Sequence, residues 1–306
     1  MSIKRLHAYL LLLIVSIIWG IAGSVIKFTQ EGIATLPFLI YRFAISSVVA
    51  LVALVFIRPK LPKNLFDIFQ LVVYGVLASA VALGVLFFGL ERTSVVEMNL
   101  LSATAPLVTA IMGVKYLKEH VTKKEKLGLT IAFLGTLFVI FEPISFQNDY
   151  KDHILGNLAI FAYVTVTAIS YVIAKKLLRK GYSPALLTHT SFVFGFLVIA
   201  VFAISQTGTA NIVSSVIHLE FKYHLGVLYM ALFSGTLAYY LETKAQKTIE
   251  IGETAVFAYL VPVFGIPTAI FWLKEMVTLQ FIIGAIIIAI GVFIAEIKKK
   301  RYNQSS

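Results

Sequence analysis

The chain has 306 residues, 59% of them hydrophobic and 13% charged. Soluble domains carry about 25% charged residues, so a water-soluble globule is excluded, as are a disordered chain and a coiled coil. There is no cysteine, which removes a disulfide scaffold, thiolate metal sites and cysteine nucleophiles. The net charge of +11 is read as cationic loops on one side of a membrane, and no nucleic-acid partner is expected. What remains is an all-α integral membrane protein with the lipid bilayer as its surroundings.

A hydrocarbon core about 30 Å thick needs about 20 apolar residues at 1.5 Å per residue. That ruler predicts ten transmembrane helices, at 8–27, 35–57, 68–90, 96–117, 125–142, 154–174, 184–206, 223–243, 252–273 and 278–296. The longest polar links fall near 143–153 and 207–222. Lys4 and Arg5 before an apolar run open like a signal peptide, but the run continues past Trp19 to Ile26, so the first span is expected to be retained. The N-terminus, the links 2–3, 4–5, 6–7 and 8–9, and the C-terminal tail hold 20 of the 26 Lys and Arg residues; the opposite side holds five, and Arg42 lies within a span. This asymmetry predicts cytoplasmic termini and a multi-pass protein of the cytoplasmic (inner) cell membrane.

The second half repeats the first. Glu97–Val139 laid on Glu253–Ala295, a shift of 156 with no gap, gives ten identities in 43 positions, against about three from composition alone. Glu97 matches Glu253, Pro106 matches Pro262, Gly128 matches Gly284 and Gly135 matches Gly291. Leu117-Lys118-Glu119-His120-Val121-Thr122 matches Leu273-Lys274-Glu275-Met276-Val277-Thr278 at five of six positions. Earlier in each half the match loosens: Lys27 answers Lys175 at a shift of 148, and Pro37 answers Pro184 at 147. The units are 8–142 and 154–296. Five spans each is an odd number, so the second unit is inverted relative to the first, an architecture in which two mirror packings open a midplane site to alternate sides.

The residues that carry a resemblance are Trp19-Gly20 with Lys27, Arg42-Phe43, Pro106, Leu117-Lys118-Glu119 and the run Gly128 to Gly135. They recur as Pro262, Leu273-Lys274-Glu275, Gly284 and Gly291. In these the chain resembles the drug/metabolite transporter superfamily, EamA-like type. The second unit departs from the first: Trp19-Gly20 has no clear counterpart, and His189 stands near where Arg42 would fall. The resemblance implies export or exchange of small metabolites, often amino acids. It also implies a central cavity lined by spans 1, 3, 4, 6, 8 and 9, with spans 5 and 10 peripheral.

Pro106 and Pro262 lie near the middle of spans 4 and 9. An interior proline frees the carbonyl four residues back, here that of Ser102 or Ala258, which reads as a hinge, a polar backbone patch or a packing kink. Arg42, about 12 Å deep by helical rise, requires a cavity or a partner; it either receives a substrate carboxylate or anchors span 2 by hydrogen bonds. Glu97 and Glu119 mark the two ends of span 4, as Glu253 and Glu275 do for span 9. They read as helix caps, or as gates that exchange partners with Lys27, Lys118 or Lys274. His189 is a further buried titratable group. Candidates for the cavity wall are Trp19, Tyr74, Ser79, Asn99, Ser102, Tyr163, Thr167, Tyr171, Thr236, Tyr239, Tyr240 and Tyr259, with Tyr163, Tyr171 and Tyr239 the leading substrate contacts. Gly128/Gly135 and Gly284/Gly291, seven apart, place close-packing faces on spans 5 and 10, within the fold or across a homodimer.

Every Asp lies in a loop or at a span edge, and the motifs of zinc peptidases, nucleophile elbows and P-loops do not occur. No enzyme activity, metal or cofactor is expected. The leading expectation is a secondary transporter of small-molecule solutes working by alternating access. A non-transporting sensor or scaffold is the alternative, and a channel, for which no ring of like charges or filter repeat is seen, is a third.

Overall fold

The computed structural model describes residues 3–117, 123–140, 150–249, 251, 254 and 257–296, and every regular element among them is helical. The helices are α1 (Ile3–Gln30), α2 (Thr35–Ile57), α3 (Leu65–Arg92), α4 (Val95–Ser102), α5 (Ala105–Leu117) and α6 (Lys123–Ile140). They continue with α7 (Tyr150–Arg179), α8 (Pro184–Thr207), α9 (Thr209–Ile217), α10 (Phe221–Thr248), α11 (Val261–Leu273) and α12 (Leu279–Glu296). Among the described residues seven stretches are long and apolar enough to cross a membrane, and they meet predicted spans 1–4 and 6–8. Span 5 falls on α6; spans 9 and 10 fall on the shorter apolar helices Phe257–Leu273 and Leu279–Gly291. Within the polar link predicted near 207–222 the chain instead forms the short helix α9, which buries Ile212.

The apolar residues divide between two environments. Phe38, Phe43, Phe87, Phe192 and Leu101 are fully buried and belong to the central core. Val55, Phe56, Val201, Phe202, Phe271 and Phe293 are exposed on the outside of the bundle, as a lipid-facing wall requires. Helix α1 lies against α10 and α11, α2 against α8, and α3 against α7, while α6 and α12 pair with each other.

The α6–α12 pairing depends on glycine. A Cβ added at Gly291 would stand 2.4 Å from the Ala132 amide nitrogen and 2.7 Å from the Gly128 carbonyl oxygen. The close approach expected of spans 5 and 10 is thus made within one chain, backbone to backbone.

Two helices are broken, and two are widened. Helix α4 ends at Ser102, residues 103–104 turn, and α5 starts at Ala105; a 3-10 turn, Phe257–Leu260, likewise precedes α11. Pro106 and Pro262 therefore sit in the first turns of α5 and α11 rather than inside continuous helices. At those positions the missing N–H leaves no hydrogen bond unmade, so the prolines start second segments instead of kinking single ones. Pro267, by contrast, is interior to its helix. The widened stretches are π-helical, Val76–Val81 in α3 and Tyr229–Leu237 in α10. Side chains take up the carbonyls displaced in α10: Ser46 Oγ donates to Ala231 O at 3.0 Å, and Trp19 Nε1 donates to Ser234 O at 3.0 Å.

Replacing Gly291 with Val is expected to lower stability by about 1–3 kcal/mol, because the added atoms meet backbone that has no side chain to move aside. Thermal unfolding in detergent or lipid nanodiscs measures this, and the exposed control Ile290→Val should leave the midpoint in place.

Candidate functional site: an occluded chamber and its end locks

Helices α1, α3, α7 and α10 border a compartment inside the bundle that reaches from Trp19 and Tyr74 towards the end where Lys175 holds Gln246. Trp19 comes from α1, and Tyr74 and Ala78 from α3. Tyr163, Thr167, Ser170 and Tyr171 come from α7, and Tyr239, Glu242, Thr243 and Gln246 from α10. A second compartment adjoins it. Leu12, Val15 and Ser16 of α1, Ala105 and Thr109 of α5, and Thr254, Phe257, Ala258 and Val261 around the broken start of α11 form its walls. Trp19, Tyr171 and Glu242 border both compartments. In terms of predicted spans the lining is 1, 3, 4, 6, 8 and 9, with 5 and 10 paired to one side. The space open to water centres is about 20 Å³ in the first compartment and about 50 Å³ in the second. On this scale one water needs about 10–15 Å³, so the two compartments have room for a few waters.

Six of the twelve predicted wall residues line the chamber: Trp19, Tyr74, Tyr163, Thr167, Tyr171 and Tyr239. The other six have different surroundings. Ser79 packs beside Gly195. Asn99 Nδ2 donates to Val95 O at 2.9 Å, and its amide fills the space left by Gly265. Ser102 contacts the Met98 sulfur at 3.6 Å, Thr236 donates to the π-helical carbonyl of Ala231, and the Tyr240 ring lies below the Lys244 ammonium. Tyr259 lies in the 3-10 turn and lines neither compartment.

Sequence reasoning missed Glu242, along with its wall neighbours Ser170, Thr243 and Gln246. The predicted eighth span stops at 243, beside Lys244, which put Glu242 at the membrane edge; α10 runs on to Thr248 and carries it inward. The available signal was spacing: Glu242 follows Tyr239 by three and shares its helix face. Its carboxyl is buried, and Tyr171 Oη donates to Oε1 at 2.6 Å.

Arg42 departs from the hydrogen-bonded anchor expected of it. It is 1% exposed and lines neither compartment. Its guanidinium nitrogens have no hydrogen-bond partner among the described residues, so it does not anchor α2 through hydrogen bonds. The guanidinium lies by the rings of Phe43 and Phe87, at 5.5 and 5.3 Å from their centroids. An aromatic series connects it to the chamber, with Phe43–Phe192, Phe192–Tyr239 and Tyr239–Trp19 centroids 6.0, 5.5 and 5.3 Å apart. His189 is buried, and its Nδ1 has no partner among the described residues.

The ends of the bundle are held by charges on backbone. Where α1 finishes, Lys27 Nζ donates to Leu90 O and Thr93 O at 2.6 and 2.8 Å, covering carbonyls at the C-terminus of α3. Beside it the two carboxylate oxygens of Glu275 accept from the Val95 and Val96 amides, each at 2.9 Å, tying the link after α11 to the start of α4. Glu275 thus pairs with a helix N-terminus, where a carboxylate is favoured, instead of with a lysine. Glu97 closes a capping box with Ser94 and accepts from Thr93 Oγ1 at 2.8 Å; His153 Nε2 lies 2.8 Å from its other oxygen. At the opposite end, where α1 begins against Ala245 and Ile249, Lys175 Nζ donates to Gln246 O and Ile249 O at 2.9 and 2.7 Å. Glu119 and Glu253 lie outside the described residues.

A bundle with an apolar outside and an enclosed polar chamber defines a polytopic membrane protein. The model of the EamA-like transporter family matches residues 6–141 and again 154–296, and the chain belongs to that family. It is 29% identical to the uncharacterized transporter YetK of Bacillus subtilis (strain 168), over 97% of this chain and 89% of that one. It is 26% identical to a probable amino-acid metabolite efflux pump of Escherichia coli (strain K12), over 93% of each chain. A solved crystal structure with 14% identity superposes with a TM-score of 0.66, covering 95% of this chain and 98% of the other, a likeness of fold.

Replacing Lys27 or Lys175 with Met strands two carbonyls away from water. Each change is expected to cost about 1.5–3 kcal/mol, the usual range for hydrogen bonds to charged groups. The readout is the unfolding midpoint of the purified protein. An unshifted midpoint for either variant would remove that lysine from the set of structural locks.

Proposed function

We propose that this chain is a secondary transporter that exports or exchanges small metabolites, amino acids among them, by alternating access around the chamber bordered by Trp19, Tyr171 and Glu242. The observation that carries the reading is the pair of lysine locks. Lys27 and Lys175 are 148 residues apart, and their acceptors, Leu90 with Thr93 and Gln246 with Ile249, are 156 apart, the two shifts of the sequence repeat. Equivalent locks at opposite ends of the bundle are what two inverted five-span units require. The double match of the family model supports the same division, with units at 8–142 and 154–296.

In this reading the chain has ten spans and cytoplasmic termini, and it sits in the cytoplasmic membrane. Lys27, Glu275 and Glu97 close the outer end. Outward opening requires the Glu275 carboxylate to leave the α4 amides, and the turns before Pro106 and Pro262 supply hinges. A small metabolite needs far more space than the collapsed chamber offers, since ligand sites usually enclose about 300–1,000 Å³; binding therefore separates the two units. Trp19, Tyr163 and Tyr239 provide apolar faces with polar tips for the solute. Arg42 is the buried cation available to a substrate carboxylate as the chamber widens. The outward apolar faces of α6 and α12 remain for lipid or for a second copy of the chain.

Reconstitution into liposomes with a metabolite panel tests the reading. Counterflow of at least one solute is expected, and Trp19→Ala or Tyr239→Ala should slow it by about tenfold or more through loss of aromatic contact. If folded protein moves no solute, the reading fails in favour of a sensor or scaffold; flux far above carrier rates would indicate a channel.

A further inference from the structure

Among the described residues, Glu242 is the buried carboxyl with the fewest direct partners. It is 5% exposed and stands on the boundary between the two compartments. The Tyr171 hydroxyl is its one hydrogen-bond partner among the described residues, and no ion pair reaches it there. The groups on the surrounding elements are engaged elsewhere or uncharged. Tyr74, Tyr163 and Tyr239 face the same compartment with neutral hydroxyls. Lys175 on α7 is occupied by the carbonyls of Gln246 and Ile249, and Lys27 on α1 by those of Leu90 and Thr93. Arg42 on α2 lies between aromatic rings, and His189 on α8 lines neither compartment. On α10 itself, Lys244 and Lys247 are exposed.

A carboxylate out of water with a single neutral donor is costly, because its charge is neither solvated nor balanced. A carboxylic acid in the same place is satisfiable: its carbonyl accepts from Tyr171 and its O–H donates to a water, for which each compartment has room. We infer that the Glu242 carboxyl is the proton-binding site of the chamber, holding a proton while the chamber is closed and exchanging it with solution when the chamber opens to one side or the other. The step balances in itself. The Glu242 acid gives its proton to a water of the open compartment, leaving a carboxylate held by the Tyr171 hydroxyl, and it regains a proton from hydronium on the other side. Proton movement is thereby tied to the alternation of the two units, which makes a proton gradient the driving force. This deepens the transport reading above and rests on it.

Infrared difference spectra of the purified protein in lipid, taken between roughly pH 5 and 9 to bracket buried carboxyls, address the site without any substrate. The wild type should show a protonated-carboxyl stretch that titrates. Glu242→Gln should lose that band, Glu242→Asp should keep one at an altered position, and Tyr171→Phe should move it to higher wavenumber as its hydrogen bond is lost. A Glu242→Gln difference spectrum identical to wild type overturns the inference. In proteoliposomes, a solute found by the metabolite panel should accumulate under an imposed pH gradient with wild type and fail to accumulate with Glu242→Gln. Gradient-driven accumulation that persists in Glu242→Gln also overturns the inference. A titrating Glu242 band in a protein that moves no solute would instead sustain the proton site and end the transport reading.

Discussion

In hydrocarbon, a backbone amide or carbonyl has no water to turn to, so each one must be paired within the protein. An unbroken helix meets that demand by itself. This chain repeatedly does not stay unbroken: α4 and α5 are separated by a turn, α11 starts from a 3-10 turn, and α3 and α10 each contain a π-helical stretch. Every such departure creates groups that side chains from other helices must satisfy. Trp19 and Ser46 serve the π stretch of α10, Glu275 serves the start of α4, and the two lysines serve the ends of α3 and α10. The irregular backbone and the polar side chains that satisfy it are one system.

In the transport reading, that coupling lets a weakly polar interior be both stable and movable. A helix end held by a lysine ammonium or a glutamate carboxylate is strongly held while in register, yet the bond is a point contact that breaks as a unit. The long apolar pairings, α2 with α8 and α6 with α12, have no such polar dependence. In the transport reading proposed above, motion is concentrated where charge meets backbone. The first turns containing Pro106 and Pro262 belong to the same region, because a segment that begins with proline can swing without breaking an intrahelical bond.

The candidate site was partly legible in advance. Lys27 and Lys175 could be paired from the sequence because each precedes its unit's matching elements by nearly the same distance, although what they hold was not visible. Trp19, Tyr74, Tyr163, Tyr171 and Tyr239 do line the chamber. A ring with a polar tip near the centre of a span is out of reach of the headgroups, so its polar atom must find a partner inside the bundle. Ser79, Asn99 and Ser102 line neither compartment, because a small polar side chain in a helix is as readily absorbed by its own backbone or by a tight contact as by a cavity. Glu242 was hidden by a boundary drawn at the end of hydropathy, and hydropathy falls wherever a polar wall faces inward. Arg42 was recognised as buried; that its neighbours are aromatic faces depends partly on Phe87, which lies on another helix.

Sequence alone determined that the protein is helical and membrane-embedded, which segments are apolar enough to be buried in lipid, and that its two halves share one pattern. These follow from composition, run length and residue identity, all local quantities. Only the tertiary structure decided where helices break, which carbonyls are left over and which charges claim them, because a freed backbone group can be satisfied by any side chain that the packing brings within hydrogen-bond distance. The position of Glu242 between two compartments belongs to the same category: it depends on how far α10 extends and how α1 and α7 close around it, and no segment of sequence contains that information by itself.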